Sequence, residues 1–515
     1  MRRIAAALLV TRGHGRDLEV LLCDRSPELR FFGGYTALPG GTLAPEDGDD
    51  RDEAAALQRC ALRELFEETG LLRHALPPER ATADALAAAR RALLERERGG
   101  ESAAGQGPGE LAPFAALTDG AAAPPPMRLL CRVETPPFAP VRFDTVFLHA
   151  PLAECTHGTA TGGDGPQPDV WPGELVGGRF WRPADAISAW RRGEILLVPP
   201  VTILCEHLAA AADFEDFARA IAATTDDYRR GRLHQVRFSP GVVLAPLRTP
   251  TLPPATTTNC YVVGRDELWV IDPGSPEPGE QERLLRLLDE LQRDGARLGG
   301  ILSTHHHPDH TGGIAALCRA RGLAVRGHPR TLERLPAGCT LGAPLEDGDT
   351  IAMGRAPDGR DGWTLRAIHT PGHDRGHLCF VEDRYDAAIV GDMLSTMSTI
   401  IVDPPEGHLA TYLQSLERLL QEPLATLYPA HGPAVRQGER LVKQYLRHRR
   451  QRETTLRTAL QDGGGTVEEL LPKVYWDADP KLYRFAARSL LAGLEKLREE
   501  GFARVERERW LAAST

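Results

Sequence analysis

The sequence predicts a multidomain protein that combines α/β and α+β domains. With 515 residues, the chain is long enough for two to four domains of roughly 100–200 residues each. Short apolar runs typical of strands alternate with helical segments along most of its length. Two groups of residues that suit metal binding lie far apart, one around Glu64 and one around His305. We therefore expect each group to have a domain of its own.

The composition excludes several classes of protein. A hydrophobic content of 42% with 26% charged residues excludes a mostly disordered chain. The net charge of −10 argues against a surface that binds nucleic acid over its whole area, although a local basic patch is compatible with it. The nine cysteines are scattered and form no Cys-x-x-Cys pair, which is typical of reduced thiols in a cytosolic protein.

The N-terminus, MRRIAAALLVTRG, has a short apolar run, after which polar residues lead into a second run, LEVLLCDRS. A signal peptide has a longer apolar core and a cleavage site of small residues, so we predict a β-hairpin here. No run approaches the roughly 18 apolar residues of a membrane-spanning helix. We expect a cytoplasmic protein with no membrane partner, and the sequence leaves its oligomeric state open.

Changes in composition divide the chain into four parts. Residues 1–212 alternate strand-like and helical segments, and residues 213–230 are predicted to be a connector. Residues 231–440 alternate short strands with helices, as in a layered α/β domain. Residues 441–515 are cationic and are predicted to form three helices and a short hairpin.

The first candidate site is the acidic run from Arg63 to Gly70. Glu64, Glu67 and Glu68 are spaced i, i+3 and i+4, so one face of a helix carries all three. Like charges at this spacing repel unless a hard divalent cation such as Mg²⁺ or Mn²⁺ neutralises them. Gly70 is predicted to end the helix as a C-cap.

This run resembles the second half of a Nudix box, and residues 1–212 resemble a Nudix hydrolase domain. The first half of the box departs from the pattern, because the residue six positions after Gly41 is Asp47 instead of Glu, and the stretch to Arg63 is longer than normal. Glu53 is a candidate for the displaced acid. The Asp-rich opening, together with the runs RFDTVFLHAP and LLVPP, resembles the coenzyme-A-type branch of the family.

The Nudix resemblance implies an α/β/α sandwich that hydrolyses a nucleoside diphosphate linked to another group, with a nucleotide or CoA-like substrate. It implies that Glu64, Glu67 and Glu68 bind Mg²⁺ or Mn²⁺ and that Glu67 and Arg63 are catalytic. The tight turn at Gly40 and Gly41 is expected to let backbone approach the substrate. The irregular box motivates an alternative, in which this half is inactive and only senses a nucleotide.

The second candidate site is the run Ser303-Thr304-His305-His306-His307-Pro308-Asp309-His310, which follows the strand-like GGILST. Four potential ligands within six residues are too many for one tetrahedral ion, so two ions are implied. Three further candidates, His373, Asp392 and His431, lie downstream, each just after a strand-like run. Ligands placed in this way gather at one edge of an α/β fold.

This pattern resembles the metallo-β-lactamase superfamily over roughly residues 231–440 and implies an αββα sandwich. His305, His307 and His373 are implied to bind a first Zn²⁺, and Asp309, His310 and His431 a second, with Asp392 bridging the two ions. Asp309 is also implied to be catalytic, as the group that orients water and handles protons. His377 is a candidate to touch substrate or to support a ligand, Asp272 is expected to support one, and His306 is expected to be a surface residue.

The last part of the chain resembles the winged-helix tail of the β-lactamase-like endoribonuclease subgroup, which implies cleavage of single-stranded RNA. From Arg436 to Trp510 there are 17 Lys or Arg against 12 Asp or Glu. Five of the cations crowd one predicted helix and either bind phosphates or form a solvated face: Lys443, Arg447, Arg449, Arg450 and Arg452.

Two hypotheses on function remain beside the sensing alternative. The first is a zinc-dependent phosphodiesterase acting on RNA, fused to a Nudix pyrophosphatase. The second pairs a CoA or nucleotide pyrophosphatase with a thioesterase or another hydrolase of small molecules. The winged tail favours the first and the CoA-like Nudix motif favours the second.

Overall fold

The structure, a computed structural model, describes residues 2–29, 32–48, 52–98, 112–136, 139, 141–155, 159–160 and 166–513. The chain forms two compact units, the first with Met1–Pro136 and Val141–Arg232 and the second with Leu233–Thr515.

The first unit is built on a seven-stranded sheet with helices on both faces. Its strands and helices, in chain order, are β1 (Arg2–Arg12), β2 (Glu19–Arg25), β3 (Thr36–Ala37), β4 (Gly40–Thr42), α1 (Glu53–Thr69), α2 (Ala83–Arg98), α3 (Pro113–Thr118), β5 (Arg128–Glu134), β6 (Arg142–Pro151), β7 (Thr159–Ala160), β8 (Pro166–Gln167), β9 (Leu175–Trp181), α4 (Pro183–Arg191), α5 (Pro199–Ala210) and α6 (Phe214–Arg229). The sheet order is β3-β2-β1-β6-β5, with β4 beside β1 and β9 beside β2, while β7 and β8 pair separately.

The alternation of apolar residues along β1 divides the core of the first unit into two layers. Leu8 and Val10 face a cluster that includes α1, α2 and α3, whereas Leu9 faces a cluster that includes α4, α5 and α6, because successive strand residues point to opposite faces. β1 also pairs antiparallel with β2, which confirms the predicted N-terminal β-hairpin. The result is the expected α/β/α sandwich.

The segment 213–230, predicted to connect two domains, is largely the helix α6. Asp213 caps the helix by accepting a hydrogen bond from the amide of Asp216. Phe217 and Ile221 are buried in the second core layer. The helix forms because its apolar residues recur at helical spacing and have the sheet to cover, so the segment belongs to the first unit.

The second unit contains two sheets with helices on their outer faces, followed by a helical segment. Its strands and helices are β10 (Val242–Arg248), β11 (Thr257–Gly264), β12 (Glu267–Ile271), α7 (Pro278–Leu291), β13 (Arg297–Leu302), α8 (Pro308–Thr311), α9 (Ile314–Arg321), β14 (Val325–Arg326), α10 (Pro329–Leu332), β15 (Thr350–Gly354), β16 (Trp363–His369), β17 (Leu378–Glu382), β18 (Ala387–Gly391), α11 (Leu409–Leu419), β19 (Thr426–Pro429), β20 (Val435–Arg436), α12 (Gly438–Gln461), α13 (Val467–Val474), α14 (Tyr483–Glu499), β21 (Ala503–Glu506) and β22 (Arg509–Ala512).

The two large sheets run β10-β11-β12-β13-β14 and β15-β16-β17-β18-β19-β20. Helices α7 and α9 cover the first sheet, and α11 and α12 cover the second. Between the sheets, the rings of Tyr261 and Tyr428 lie 5.5 Å apart, and the Tyr261 hydroxyl donates to the carbonyl of Pro429 at 2.6 Å. This is the expected αββα sandwich.

The end of the chain forms three helices and the hairpin β21-β22, as predicted. Helix α12 is continuous across the predicted boundary between residues 440 and 441. Its first half contributes Val442 and Leu446 to the core under the second sheet, and its second half contributes Leu456 and Leu460 to the winged-helix core. The two parts therefore share a helix.

All nine cysteines are free thiols, and all but Cys339 are buried, in agreement with the prediction of reduced thiols. Within the described residues, no helix has the length and apolar character needed to cross a membrane.

Candidate metal centres

The histidines and aspartates of the second unit converge at one edge of its two sheets. Strand β13 leads into His305, β16 precedes His373, and β18 and β19 end just before Asp392 and His431. Because neighbouring strands end at this edge, residues far apart in sequence become neighbours. The prediction that each candidate follows a strand is confirmed.

Three histidines predicted for a first metal point ring nitrogens at one another. His305 Nε2 lies 3.0 Å from His307 Nδ1, and His373 Nε2 lies 3.1 Å from the same Nδ1. An Asp392 carboxylate oxygen, Oδ2, lies 3.6 Å from His373 Nε2. These four ligand atoms all lie within 4.8 Å of one another.

The three residues predicted for a second metal form a neighbouring group: Asp309, His310 and His431. His431 Nε2 lies 3.5 Å from Asp309 Oδ2 and 3.4 Å from Asp392 Oδ1, and His310 Nε2 lies 3.6 Å from Asp392 Oδ1. One oxygen of Asp392 thus faces each group, which is the position of a bridging carboxylate.

The donor atoms of this site suit a pair of divalent cations. His310 Nε2 and Asp392 Oδ1 are buried and have no hydrogen-bond partner among the described residues. Burial lowers the pKa of His305 well below its ordinary value and that of His307 to about 4, so both rings stay neutral and keep a lone pair for a metal. Imidazole and carboxylate together are typical ligands of Zn²⁺ and similar ions. The site is therefore chemically fit for divalent metals.

Asp272 supports the second group from behind, as predicted. Its Oδ2 lies 2.8 Å from His310 Nδ1 and accepts from the Thr304 hydroxyl at 2.6 Å, while its Oδ1 accepts from the Thr304 amide at 2.8 Å. Its backbone has φ of 51°, a conformation that is uncommon outside glycine and is often found at functional sites. A carboxylate on the far nitrogen of a histidine fixes the ring and its tautomer.

Backbone carbonyls orient two other histidines. His373 Nδ1 lies 2.8 Å from the Ile401 carbonyl, and His431 Nδ1 lies 3.1 Å from the Thr257 carbonyl. In each case Nδ1 donates the hydrogen bond, which leaves Nε2 facing the metal groups. No residue pattern points to these carbonyls, because any residue supplies one.

His377, a candidate to touch substrate or to support a ligand, is fully buried. Its Nδ1 lies 2.9 Å from the Thr370 hydroxyl, and its Nε2 accepts from the amide of Asp392 at 3.2 Å. Burial lowers the pKa of His377 to about 3, which keeps the ring neutral and able to accept. It lies directly behind Asp392, and this position is compatible with a supporting role.

His306, expected to be a surface residue, lies outside the two main groups, but its side chain is only 14% exposed. It forms a short contact with Asp374, which is buried. His306, Asp374 and His307 each place a possible ligand atom within 4.8 Å of the other two, so they form a third group that could hold a metal. The sequence reasoning missed Asp374. The signal was an acidic residue directly after His373.

In the first unit, Arg63 is the centre of the acidic site. Its Nε and Nη2 donate to the two carboxylate oxygens of Asp47 at 3.0 and 2.9 Å, and its Nη1 donates to Glu64 at 2.9 Å and Glu67 at 3.3 Å. Arg63, Asp47 and Glu67 are buried. Asp47 therefore neutralises the charge of Arg63. Glu53, the candidate for the displaced acid, instead lies 2.8 Å from Arg132.

Glu64, Glu67 and Glu68 lie on α1, and Gly70 caps it with φ of 69° as predicted. Within the described part of the chain, the carboxylate oxygens of these three glutamates do not all lie within 4.8 Å of one another. Burial raises the pKa of Glu64 to about 7 against the pull of Arg63, and burial and the charge of Glu64 raise the pKa of Glu68. Carboxylates on one helix face that are wholly or partly buried are chemically suited to a hard divalent cation.

The turn at Gly40 and Gly41 approaches helix α1 itself. The Gly40 amide donates to Glu68 at 2.9 Å, and a Cβ on Gly41 would lie 2.3 Å from a Glu64 carboxylate oxygen. Any larger residue would displace that carboxylate. The glycines thus allow the acidic side chains to reach the backbone. The approach of this turn to a substrate stays a prediction.

The basic residues of α12 are mostly engaged within the protein. Lys443 pairs with Glu439, Arg450 with Glu417 and Arg452 with Asp477, and Arg449 is buried. Arg447 is exposed and, unlike the other four, is neither buried nor in an ion pair within the described part of the chain. This weakens the reading of the helix as a phosphate-binding face.

Three family models match the chain. The Metallo-beta-lactamase superfamily model matches residues 253–431, the Beta-lactamase associated winged helix domain matches residues 466–510, and the NUDIX domain matches residues 1–95. The matched stretches contain both candidate metal centres.

Curated relatives resemble part of the chain. A lactamase-like protein, notP, of Aspergillus sp. (strain MF297-2) is 30% identical over 42% of this chain. The atrochrysone carboxyl ACP thioesterase nsrC of Aspergillus novofumigatus (strain IBT 16806) is 32% identical over 43% of it. Each alignment covers 66% of the relative, just under two thirds of its length.

Among solved structures, a NUDIX hydrolase from Alicyclobacillus acidocaldarius is 27% identical, with a TM-score of 0.33, over 43% of this chain and 97% of its own. The chain joins a Nudix domain, a domain of the metallo-β-lactamase superfamily and a β-lactamase-associated winged helix domain, the first two of which are hydrolase families.

Proposed function

We propose that the metallo-β-lactamase domain is a dinuclear, metal-dependent hydrolase of thioesters of the CoA or ACP type, joined to a Nudix pyrophosphatase that acts on a CoA-like nucleotide. The observation that carries the proposal is the placement of Asp392, whose two carboxylate oxygens face two separate groups of histidines. Such a divided donor set suits two divalent ions a few ångströms apart.

In this proposal His305, His307 and His373 hold one ion, Asp309, His310 and His431 hold the other, and Asp392 contacts both. Zn²⁺ is the ion we expect. When bound, two such ions polarise the scissile carbonyl and make water more acidic. Hydrolysis then adds the oxygen of water to the carbonyl carbon, breaks the C–S bond and releases a carboxylic acid and a thiol.

The protein's own part in this reaction is to position groups and to move a proton. Asp309 Oδ2 lies 3.5 Å from His431 Nε2 and accepts from the Thr258 hydroxyl at 3.4 Å. A carboxylate fixed in this way is able to orient water and to accept its proton. We assign that role to Asp309.

In the Nudix domain we propose that Glu64, Glu67 and Glu68 hold Mg²⁺ or Mn²⁺ and that Arg63 orients them. The bidentate contact between Arg63 and Asp47 supports this, because a buried arginine needs a matched carboxylate to stay fixed. Since Asp47 fills the place of the missing box acid, we favour an active domain over one that only senses a nucleotide.

The choice of thioester over RNA rests on two points. A relative that is 32% identical is named a carboxyl ACP thioesterase, and four of the five cations on α12 are paired or buried. Cleavage of single-stranded RNA is the second candidate, favoured by the winged helix domain and by the local surplus of positive charge.

The test is a screen of the purified full chain, with Zn²⁺ or Mg²⁺, against acyl-CoA thioesters, CoA, dinucleotides and single-stranded RNA. His305→Ala removes a proposed ligand of the histidine site in the metallo-β-lactamase domain. Glu67→Gln removes a proposed ligand of the acidic site in the Nudix domain. We expect His305→Ala to abolish thiol release alone and Glu67→Gln to abolish pyrophosphate cleavage alone. If the wild type cleaves RNA but releases no thiol, and His305→Ala no longer cleaves RNA, the thioester assignment would be wrong and RNA cleavage would replace it.

A further inference from the structure

Helix α12 contacts a segment that follows one proposed metal ligand, Asp392, and hydrogen-bonds at its end to another, His373. The segment 393–401 begins directly after Asp392, and its last carbonyl, that of Ile401, lies 2.8 Å from His373 Nδ1. Two side chains of α12, Tyr445 and Arg449, contact it. They are spaced i and i+4 and therefore lie on one face of the helix.

Tyr445 contacts the first half of the segment. Its hydroxyl accepts from the Ser395 amide at 2.9 Å and lies 2.8 and 2.7 Å from the carbonyls of Ser395 and Ser398, to one of which it donates. The Ser395 hydroxyl in turn donates to the His431 carbonyl at 3.3 Å, and the Thr396 amide donates to the same oxygen at 3.2 Å.

Arg449 contacts the second half. Its Nη2 donates to the Ile400 carbonyl, one residue before the carbonyl that orients His373. Its guanidinium carbon lies 5.3 Å from the centre of the Tyr412 ring, and the Tyr412 hydroxyl donates to the Met393 carbonyl at 2.7 Å. Arg449 is 7% exposed, so this contact is shielded from water.

Three proposed ligands therefore depend on one segment: Asp392 precedes it, His373 bonds to its end and His431 bonds to its middle. We infer that Tyr445 and Arg449 are positioning residues for the metal centre, and that the winged helix domain serves to fix them. The inference rests on the proposed metal site and extends it to α12.

The winged helix domain takes part because α12 ends inside its core. Leu456 and Leu460 of α12 pack with Leu490 and Leu494 of α14, and Lys496 of α14 lies 2.8 Å from Glu453 of α12. These contacts fix the axial position of α12, and with it the two side chains that hold the segment. This gives the domain a use that needs no nucleic acid.

The experiment measures metal binding in the full chain rather than turnover. The variants are Tyr445→Phe, which removes one hydroxyl, and Arg449→Met, with Arg449→Lys as the conservative variant. Arg450→Met is the matched control, because Arg450 is the next residue of the helix and forms an exposed ion pair with Glu417. Each is titrated with Co²⁺ against a competing chelator, and the visible spectrum of the histidine-ligated ion and the melting temperature of the apoprotein are recorded.

We expect Tyr445→Phe and Arg449→Met to weaken Co²⁺ binding about 10–100-fold and to change the visible spectrum, with Arg449→Lys recovering part of the affinity and Arg450→Met equal to wild type. An unchanged affinity and spectrum in both variants would overturn the inference, even if the apoprotein melted at a lower temperature. If the wild type itself bound no Co²⁺ at this site, the proposed function would fail instead.

Discussion

The carboxylate of Asp47 and the guanidinium of Arg63 form a buried, two-point contact, with N–O distances of 3.0 and 2.9 Å. Asp47 precedes α1 and Arg63 lies in its second half, so the pair ties the loop before the helix to the helix face that carries the glutamates. Arg63 also reaches Glu64 and Glu67 from this position. The pair thus decides where two proposed metal ligands lie.

Replacement of Asp47 is expected to disable the Nudix domain. Asp47→Asn removes the charge that matches Arg63, and breaking a buried ion pair typically costs about 3–5 kcal/mol. We expect lower thermal stability of the first unit, measured by calorimetry, and at least a tenfold loss of pyrophosphate cleavage, measured by chromatography of the two phosphomonoester products.

Glu53→Gln is the control for this prediction, since Glu53 instead lies 2.8 Å from Arg132 and is 41% exposed at its side chain. Exposed ion pairs contribute only about 0–1 kcal/mol, so Glu53→Gln should resemble wild type. The reverse ranking of the two variants would show that Glu53 is the displaced acid of the box.

The residue spacing was sufficient to predict that five histidines and two aspartates of the second unit lie close together, since they follow strands that end at one sheet edge. It was not sufficient to choose between Asp47 and Glu53, because that choice depends on the path of the loop before α1. The helix α6 was missed even though Phe214, Phe217 and Ile221 recur at helical spacing, because the rest of its sequence is rich in Ala and Asp. The contacts of Tyr445 and Arg449 depend on how a helix docks, which no local pattern records.

Asp272 is expected to support metal binding through His310. Asp272→Asn keeps the shape of the side chain but weakens the bond to His310 Nδ1, and loss of such a partner typically lowers metal affinity about 10–100-fold. Metal content after dialysis against a weak chelator measures the effect. Asp266→Asn, at an exposed pair with Arg355, is the control, and equal metal retention by both variants would count against the role of Asp272.

Mild acid is expected to destabilise the first unit through His149. Burial lowers the pKa of His149 to about 4, whereas an unfolded histidine has a pKa of about 6.5. Its neutral form stabilises the fold fully above pH 6.5, and this contribution is lost as the pH falls toward 4, by roughly 3 kcal/mol at most. Calorimetry from pH 7 to 4 should show a smaller loss in His149→Gln, and parallel curves for the two proteins would refute the prediction.

Binding of RNA is expected to be weak and only slightly dependent on salt. Each phosphate contact contributes about −0.7 to the slope of log K against log salt for a single strand. Of the five α12 cations, only Arg447 is both exposed and outside any ion pair in the described part of the chain. We therefore expect a slope no steeper than about −1.5, measured by fluorescence anisotropy. A steeper slope that Arg447→Glu reduces would restore the RNA hypothesis.

The measurement that decides between these possibilities is thiol release from an acyl-CoA by the full chain loaded with two equivalents of Zn²⁺, compared with Asp392→Asn. Asp392 faces both groups of histidines, so its loss should affect both ions together. We predict hydrolysis by the wild type and a loss of more than about 10–100-fold in Asp392→Asn, because removing even a residue that only supports a metal ligand typically costs that much in metal affinity or activity. Hydrolysis at the same rate in both proteins, or none in the loaded wild type, would contradict a dinuclear thioester hydrolase.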